Sequence, residues 1–124
     1  MLQLNFTTRV LGPIAAYRLE QHKVTQTLRG YTSSAAQAAL TGQLKVGDQM
    51  KVLLDGRPIG FAEYVKMDAP RWIDIDTADA QRGGFDDLAN LEKALQKAGY
   101  RFRPIDMYRL YRIQFSWLEE VKDD

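Results

Sequence analysis

Lys45-Val46-Gly47-Asp48-Gln49-Met50-Lys51-Val52-Leu53-Leu54-Asp55-Gly56-Arg57-Pro58-Ile59-Gly60-Phe61-Ala62 reads as a turn, a strand, a tight connection and a returning strand. Lys45-Val46-Gly47-Asp48 turns the chain into the strand Gln49–Leu54. Asp55-Gly56 is a two-residue connection of the hairpin kind, because both residue types tolerate a left-handed backbone. The return predicts a longer strand over 58–67, broken by Asp68-Ala69-Pro70. This antiparallel pair is the clearest β portion of the chain.

The flanks add both element types. Upstream, Leu2–Phe6 alternates apolar and polar residues as a strand does. Pro13 suits a first helical turn, and the helical pattern runs to about Gln21. Residues 24–29 alternate and are rich in β-branched side chains, which predicts a strand. Ser33-Ser34 can cap a short helix over 35–40 that Gly42 ends. Downstream, 74–84 reads as one or two helical turns. The strongest helix pattern covers 85–98, with Phe85, Leu88, Leu91 and Leu95 spaced by three and four and Gly99 as the stop. Asp86 and Asp87 suit its positive end, Lys93 and Lys97 its negative end. Residues 107–117 form a long strand whose odd positions, Arg109, Tyr111, Ile113, Phe115 and Trp117, build a mostly apolar face. An α+β fold follows: one domain over residues 1–124, a small curved sheet or β-barrel with two to four flanking helices.

Composition narrows the chemistry. With 124 residues, 45% hydrophobic and 27% charged, the chain is an ordinary globular domain. It has no cysteine, which excludes disulfides, thiolate metal sites and a cysteine nucleophile. Its single histidine, His22, excludes a multi-histidine metal centre, and a lone histidine near a helix end reads as a surface residue or cap. The start, Met1-Leu2-Gln3-Leu4-Asn5-Phe6, lacks the basic region and apolar run of a secretory leader. No apolar run approaches the roughly 20 residues of a membrane span, so a cytoplasmic location is expected. The net charge is only +1, but residues 1–66 carry eight Lys/Arg against four Asp/Glu, and residues 67–124 nine against twelve. A fold that gathers the basic half on one face attracts phosphate; ordinary solvated charge accounts for the counts equally well.

Three stretches, in order and spacing, resemble one family. His22-Lys23-Val24-Thr25-Gln26-Thr27-Leu28-Arg29 is similar to a pattern of Gly, a basic residue, Lys, Thr, any residue, Thr, any residue, Arg. Leu44–Val52 is similar to a "K-V-G-D" lead-in, followed by a hairpin and the "Gly-x-Ala" strand at Gly60-Phe61-Ala62. Thr77-Ala78-Asp79-Ala80-Gln81-Arg82-Gly83-Gly84-Phe85-Asp86-Asp87-Leu88 is similar to a helical element leading to "G-F-x-x-L" and a second helix. With the closing Tyr111–Phe115 segment, these resemble the ASCH domain family of the PUA-like superfamily over roughly residues 2–117. The resemblance implies a PUA-like barrel that binds RNA, single-stranded nucleic acid or a nucleotide.

The residues supply their own reading of that expectation. In a strand, Thr25, Thr27 and Arg29 share one face, so two hydroxyls and a planar guanidinium line up beside Lys23. That row can form one wall of a phosphate-reading cleft facing the helical elements around Arg82; as a plain solvated strand face it needs no ligand. Residues 99–112 interleave Arg101, Arg103, Arg109 and Arg112 with Tyr100, Phe102, Tyr108 and Tyr111, a mixture suited to single-stranded nucleic acid, or to core rings with surface ion pairs. Trp72 can stack a base or serve as core or lid. Lys23, Thr25, Thr27, Arg29, Arg82, Arg101 and Arg103 are therefore the expected nucleic-acid-binding residues.

Some relatives in the family resemble a small amidohydrolase that deacetylates a modified cytidine with a lysine, a threonine and a glutamate. By residue-to-residue correspondence the threonine falls on Thr27, but the lysine falls on Val24 and the glutamate on Gly83. A hydrolase needs an acid or base within hydrogen-bond reach of its nucleophile or water, so that activity is disfavoured and no catalytic residue is assigned. A protein-interaction module built on the aromatic C-terminal strand is a third reading. Asp68, Asp74, Asp76 and Asp79 match no calcium loop and read as helix caps and solvated charge. No metal or cofactor is expected.

Overall fold

A computed structural model describes residues 1–100 and 110–118. The elements run β1 (Leu2–Phe6), α1 (Thr8–Leu11), α2 (Pro13–Glu20), β2 (Gln26–Gly30), α3 (Ser34–Leu40), β3 (Gln49–Leu54), β4 (Arg57–Asp68), a 3-10 turn (Trp72–Asp74), α4 (Thr77–Arg82), α5 (Leu88–Lys97) and β5 (Leu110–Trp117). The five strands form one mixed sheet in the order β1-β3-β4-β5-β2, with β1 parallel to β3 and every other pair antiparallel. The sheet curls into a half-barrel, and β1 and β2, its two edges, are not paired to each other.

The β3–β4 hairpin closes through Asp55 (φ 52°) and Gly56 (φ 79°), the pair of left-handed residues that a tight hairpin turn demands. The Asp55 carboxylate also accepts the Thr8 backbone N–H (2.9 Å) and hydroxyl (2.6 Å), tying the turn to α1, and these bonds hold its pKa below the usual carboxylate value. The one-turn helix α1, capped by Thr7, is an element that the sequence pattern does not announce. Ser33 caps α3 as expected, its Oγ accepting the Ala36 N–H. The helix predicted over 85–98 begins three residues later, at Leu88, because the Asp87 carboxylate accepts the Asn90 N–H and sets the start there. Phe85 lies outside it but is buried. The strand predicted over 24–29 runs over 26–30 instead, and residues 107–109 of the predicted last strand lie outside the described residues.

The core divides in two. Leu4, Leu19, Val24, Met50, Val52, Ala62, Ile113 and Phe115 fill the half-barrel. Leu28, Ile75, Ala80, Phe85, Leu91, Leu95 and Leu110 form a second cluster under α4 and α5, with Trp72 packed at its margin. His22 is exposed at the barrel end, as expected of a surface residue: its ring lies parallel to Trp117 at 3.9 Å, and Nε2 donates to the Ile59 carbonyl (2.8 Å). No helix among the described residues is long and apolar enough to cross a membrane.

Candidate functional site

A cavity of about 170 Å³ opens where the two sheet edges face each other. Asn5 and Phe6 of β1 form one side, Thr27, Leu28 and Arg29 of β2 the other, and α1, α4 and α5 cover the gap through Leu11, Asp79 and Leu91 among others. An engineered apolar cavity of about 150 Å³ holds a benzene-sized guest, so this space suits one small ring or branched chain. It lies between the two core clusters, and most of its wall is aliphatic or aromatic.

Arg29 crosses the gap. Its Nη2 donates to the Asn5 carbonyl (2.7 Å), its Nε donates to Thr27 Oγ1 (3.0 Å), and its guanidinium carbon sits 4.7 Å from the centre of the Phe6 ring. One side chain thus joins the unpaired edges of the half-barrel. Among the described residues no carboxylate pairs with it, and burial pulls its pKa down to about 10, with Tyr100 acting in the opposite sense. It remains a cation at neutral pH.

Tyr100 forms the end of the cavity. The Gly30 N–H donates to Tyr100 Oη (2.6 Å), and a Cβ at residue 30 would lie 2.7 Å from the tyrosine ring. The glycine that ends β2 is what lets the phenol approach so closely.

Behind the cavity stands a second polar cluster. Asp79 is buried and its Oδ1 accepts from Gln26 Nε2 (3.0 Å), Arg82 Nη2 (2.6 Å) and Arg112 Nη1 (3.1 Å). Its Oδ2 accepts the Asp76 N–H, closing a capping box at the start of α4. Burial alone would push the Asp79 carboxyl up; the bonds from Gln26, the Asp76 backbone, Arg82 and Arg112 outweigh it and hold it well below the carboxylate range. Gln26 Oε1 accepts from Arg82 Nε and Gln114 Nε2, and Arg112 also grips Asp68 with two nitrogens. The cluster is charge-balanced and its acceptors are engaged.

The expected binding residues therefore separate. Thr27 and Arg29 meet in the cavity. Arg82 lies behind it, half exposed, with Asp79 matching its charge. Lys23 is exposed and Thr25 partly buried; neither lines the cavity, and Thr25 is fixed by its backbone, its N–H donating to Arg82 O and its carbonyl accepting from Phe115 N. Arg101 and Arg103 lie outside the described residues. Asn5 and Asp79 are site residues that the sequence pattern does not announce, whereas Tyr100 is one of the rings expected in the Arg/aromatic stretch of residues 99–112. The buried Asp79 departs from the solvated role expected of it, whereas Asp68 and Asp74 do serve in ion pairs and Asp76 in a cap.

The two positions that matter for hydrolysis are also placed. Val24 is 1% exposed and belongs to the barrel core. Gly83 borders the cavity without contributing a side chain.

No protein-family model matches the sequence, and no curated protein matches it. Solved structures do. An ASCH domain from Lactobacillus crispatus superposes with a TM-score of 0.58 at 19% identity, covering 84% of this chain and 70% of that one. A DUF984 protein from Enterococcus faecalis superposes with a TM-score of 0.60 at 18% identity, covering 95% and 82%. Identities this low speak for the fold alone. The half-barrel with its flanking helices is an ASCH-type fold.

Proposed function

We propose that this chain is a binding module for RNA, single-stranded nucleic acid or a nucleotide, with the edge-strand cavity as the seat of one ring. The observation that carries the reading is Arg29: a cation set in an apolar cavity beside the Thr27 hydroxyl, with no carboxylate to match it among the described residues. A base placed there would offer carbonyl acceptors to these donors, while the sugar and phosphate remain outside. Lys23 and the exposed part of Arg82 would serve the backbone. Tyr31, half exposed and 6.3 Å from the Tyr111 ring, offers a further stacking surface beyond the end of β2.

The hydrolase reading lacks its groups: Val24 is core, Gly83 is bare, and Asp79 is ionised and fully engaged. Binding without chemistry fits these residues better.

Fluorescence anisotropy with labelled short RNA and single-stranded DNA over a salt series tests the proposal. Affinity is expected to fall steeply with salt, at about 0.7 in log–log slope per phosphate neutralised. Lys23→Ala should lower that slope by about one such contact, and Arg29→Ala should weaken binding at every salt concentration. Absence of binding to any oligonucleotide or nucleotide at low salt would sink the proposal.

A further inference from the structure

We infer that the edge-strand cavity is a site for a free, small monocarboxylate whose body is one ring or a compact branched chain. This goes beyond the nucleic-acid reading and does not depend on it.

The polar groups of the cavity are biased toward donation. Arg29 spends Nε on Thr27 and one Nη2 hydrogen on the Asn5 carbonyl. Among the described residues its Nη1 makes no hydrogen bond, and Arg29 lines the cavity. Thr27 Oγ1 accepts from Arg29, and Tyr100 Oη accepts from the Gly30 N–H; among the described residues neither hydroxyl hydrogen is donated. Asp79, the one carboxylate in the wall among the described residues, is already matched by Arg82 and Arg112. A guest therefore meets a guanidinium that no carboxylate among the described residues matches, and two hydroxyl groups.

Charge and size then select the class. A part-buried cation without a counter-charge is unfavourable, and an anion that supplies one is bound with the strength of a charge-assisted hydrogen bond. One guanidinium matches one negative charge. The second charge of a phosphate dianion would be stranded against Phe6, Leu28 and Leu91. A carboxylate brings one charge and a planar pair of oxygens that fits the guanidinium fork. The volume of about 170 Å³ accepts a single ring, and the apolar walls bury it. An ammonium group is repelled by Arg29 and finds its natural partner, Asp79, occupied.

The test is a titration of the full chain, followed by amide NMR and calorimetry, with benzoate, 3-methylbutanoate, benzamide, benzylammonium and inorganic phosphate as probes. Saturable binding of benzoate or 3-methylbutanoate is expected, with shifts concentrated at residues 27–30 and 91–98. Benzamide, the neutral isostere of benzoate, should bind at least about tenfold more weakly, and benzylammonium and phosphate should not saturate. Arg29→Met should abolish carboxylate binding, and Thr27→Val should weaken it severalfold. The benzoate–benzamide comparison needs only the unmodified chain, so it decides the matter even where Arg29→Met does not fold. Equal binding of benzoate and benzamide, tighter binding of phosphate, or no saturation by either acid overturns the inference. Carboxylate binding without oligonucleotide binding upholds this site and removes the nucleic-acid reading; oligonucleotide binding with no response to either acid does the reverse.

Discussion

Asp79→Asn is expected to destabilise the fold by about 3 kcal/mol, because removing one member of a buried ion pair leaves the other charged and poorly solvated. The loss falls at the low end of the roughly 3–5 kcal/mol that breaking a buried pair costs, because one of the two arginines can reach water. Arg82 is 41% exposed and can turn toward water, whereas the Arg112 side chain is 19% exposed and stays held by Asp68. Gln26, buried between them, loses an acceptor for its Nε2 as well. Urea unfolding should show a lower midpoint with an unchanged slope. Asp74→Asn is the matched control. Its partner Arg71 and its own side chain are both more than half exposed, so the loss should stay within about 0.5 kcal/mol.

The same carboxylate gives the variant a pH signature. Hydrogen bonds from Arg112 hold Asp68 below its usual pKa, and the four donors around Asp79 do the same against burial. Both groups titrate lower in the folded chain than in the unfolded one. Their contribution is therefore complete above the unfolded carboxylate value, about pH 4, and is lost as pH falls through the folded values. Asp79→Asn should flatten the acid limb of the stability profile and leave the neutral plateau level.

Gly60→Ala is expected to cost about 3 kcal/mol through a different mechanism. A Cβ at residue 60 would stand 2.9 Å from His22 Nε2, 3.0 Å from its Cε1 and 3.1 Å from Trp117 Cζ3, with the backbone at φ +155°. Either the imidazole leaves the Ile59 carbonyl and its parallel seat on Trp117, or β4 shifts away from the barrel end. Overpacking and backbone strain each contribute on the order of 1–3 kcal/mol. Gly42→Ala separates the two, since its φ is also positive but nothing lies within 4 Å of the added carbon. That control should lose only about 1 kcal/mol. Chemical denaturation measures both, and the indole proton of Trp117, which donates to the Val24 carbonyl at 2.6 Å, reports by NMR whether the stack has opened.

Local chemistry made much of the fold legible. Asp55-Gly56 could only be a tight reversal between two strands, and Ser33, Gly42 and Gly99 bracketed helices whose apolar faces repeat correctly. What alternation could not reveal is which side of a strand meets water. Thr27 and Arg29 were expected on one face, and they are; that the face looks across a gap to Asn5, twenty-four residues earlier, follows from the parallel β1–β3 pairing and the open edge. No short-range pattern encodes that meeting. Asp79 misled for a related reason. A capping aspartate and a buried one look alike in sequence, and only Gln26, Arg82 and Arg112, drawn from three separate segments, distinguish them. Lys23 does not join Thr27 and Arg29 in the cavity wall because the strand starts at Gln26, leaving Lys23 outside the sheet.

The open edge of the half-barrel has one more consequence. Free strand edges invite recruitment of a strand from another molecule, the usual route to swapped dimers and fibrils. Here Arg29 occupies the Asn5 carbonyl, Tyr100 occupies the Gly30 N–H, and α1 and α5 roof the opening. The groups that give the cavity its polarity also blunt both edges against a foreign strand. A variant that empties the seat, Arg29→Met above all, exposes the Asn5 acceptor and joins ligand recognition to colloidal behaviour.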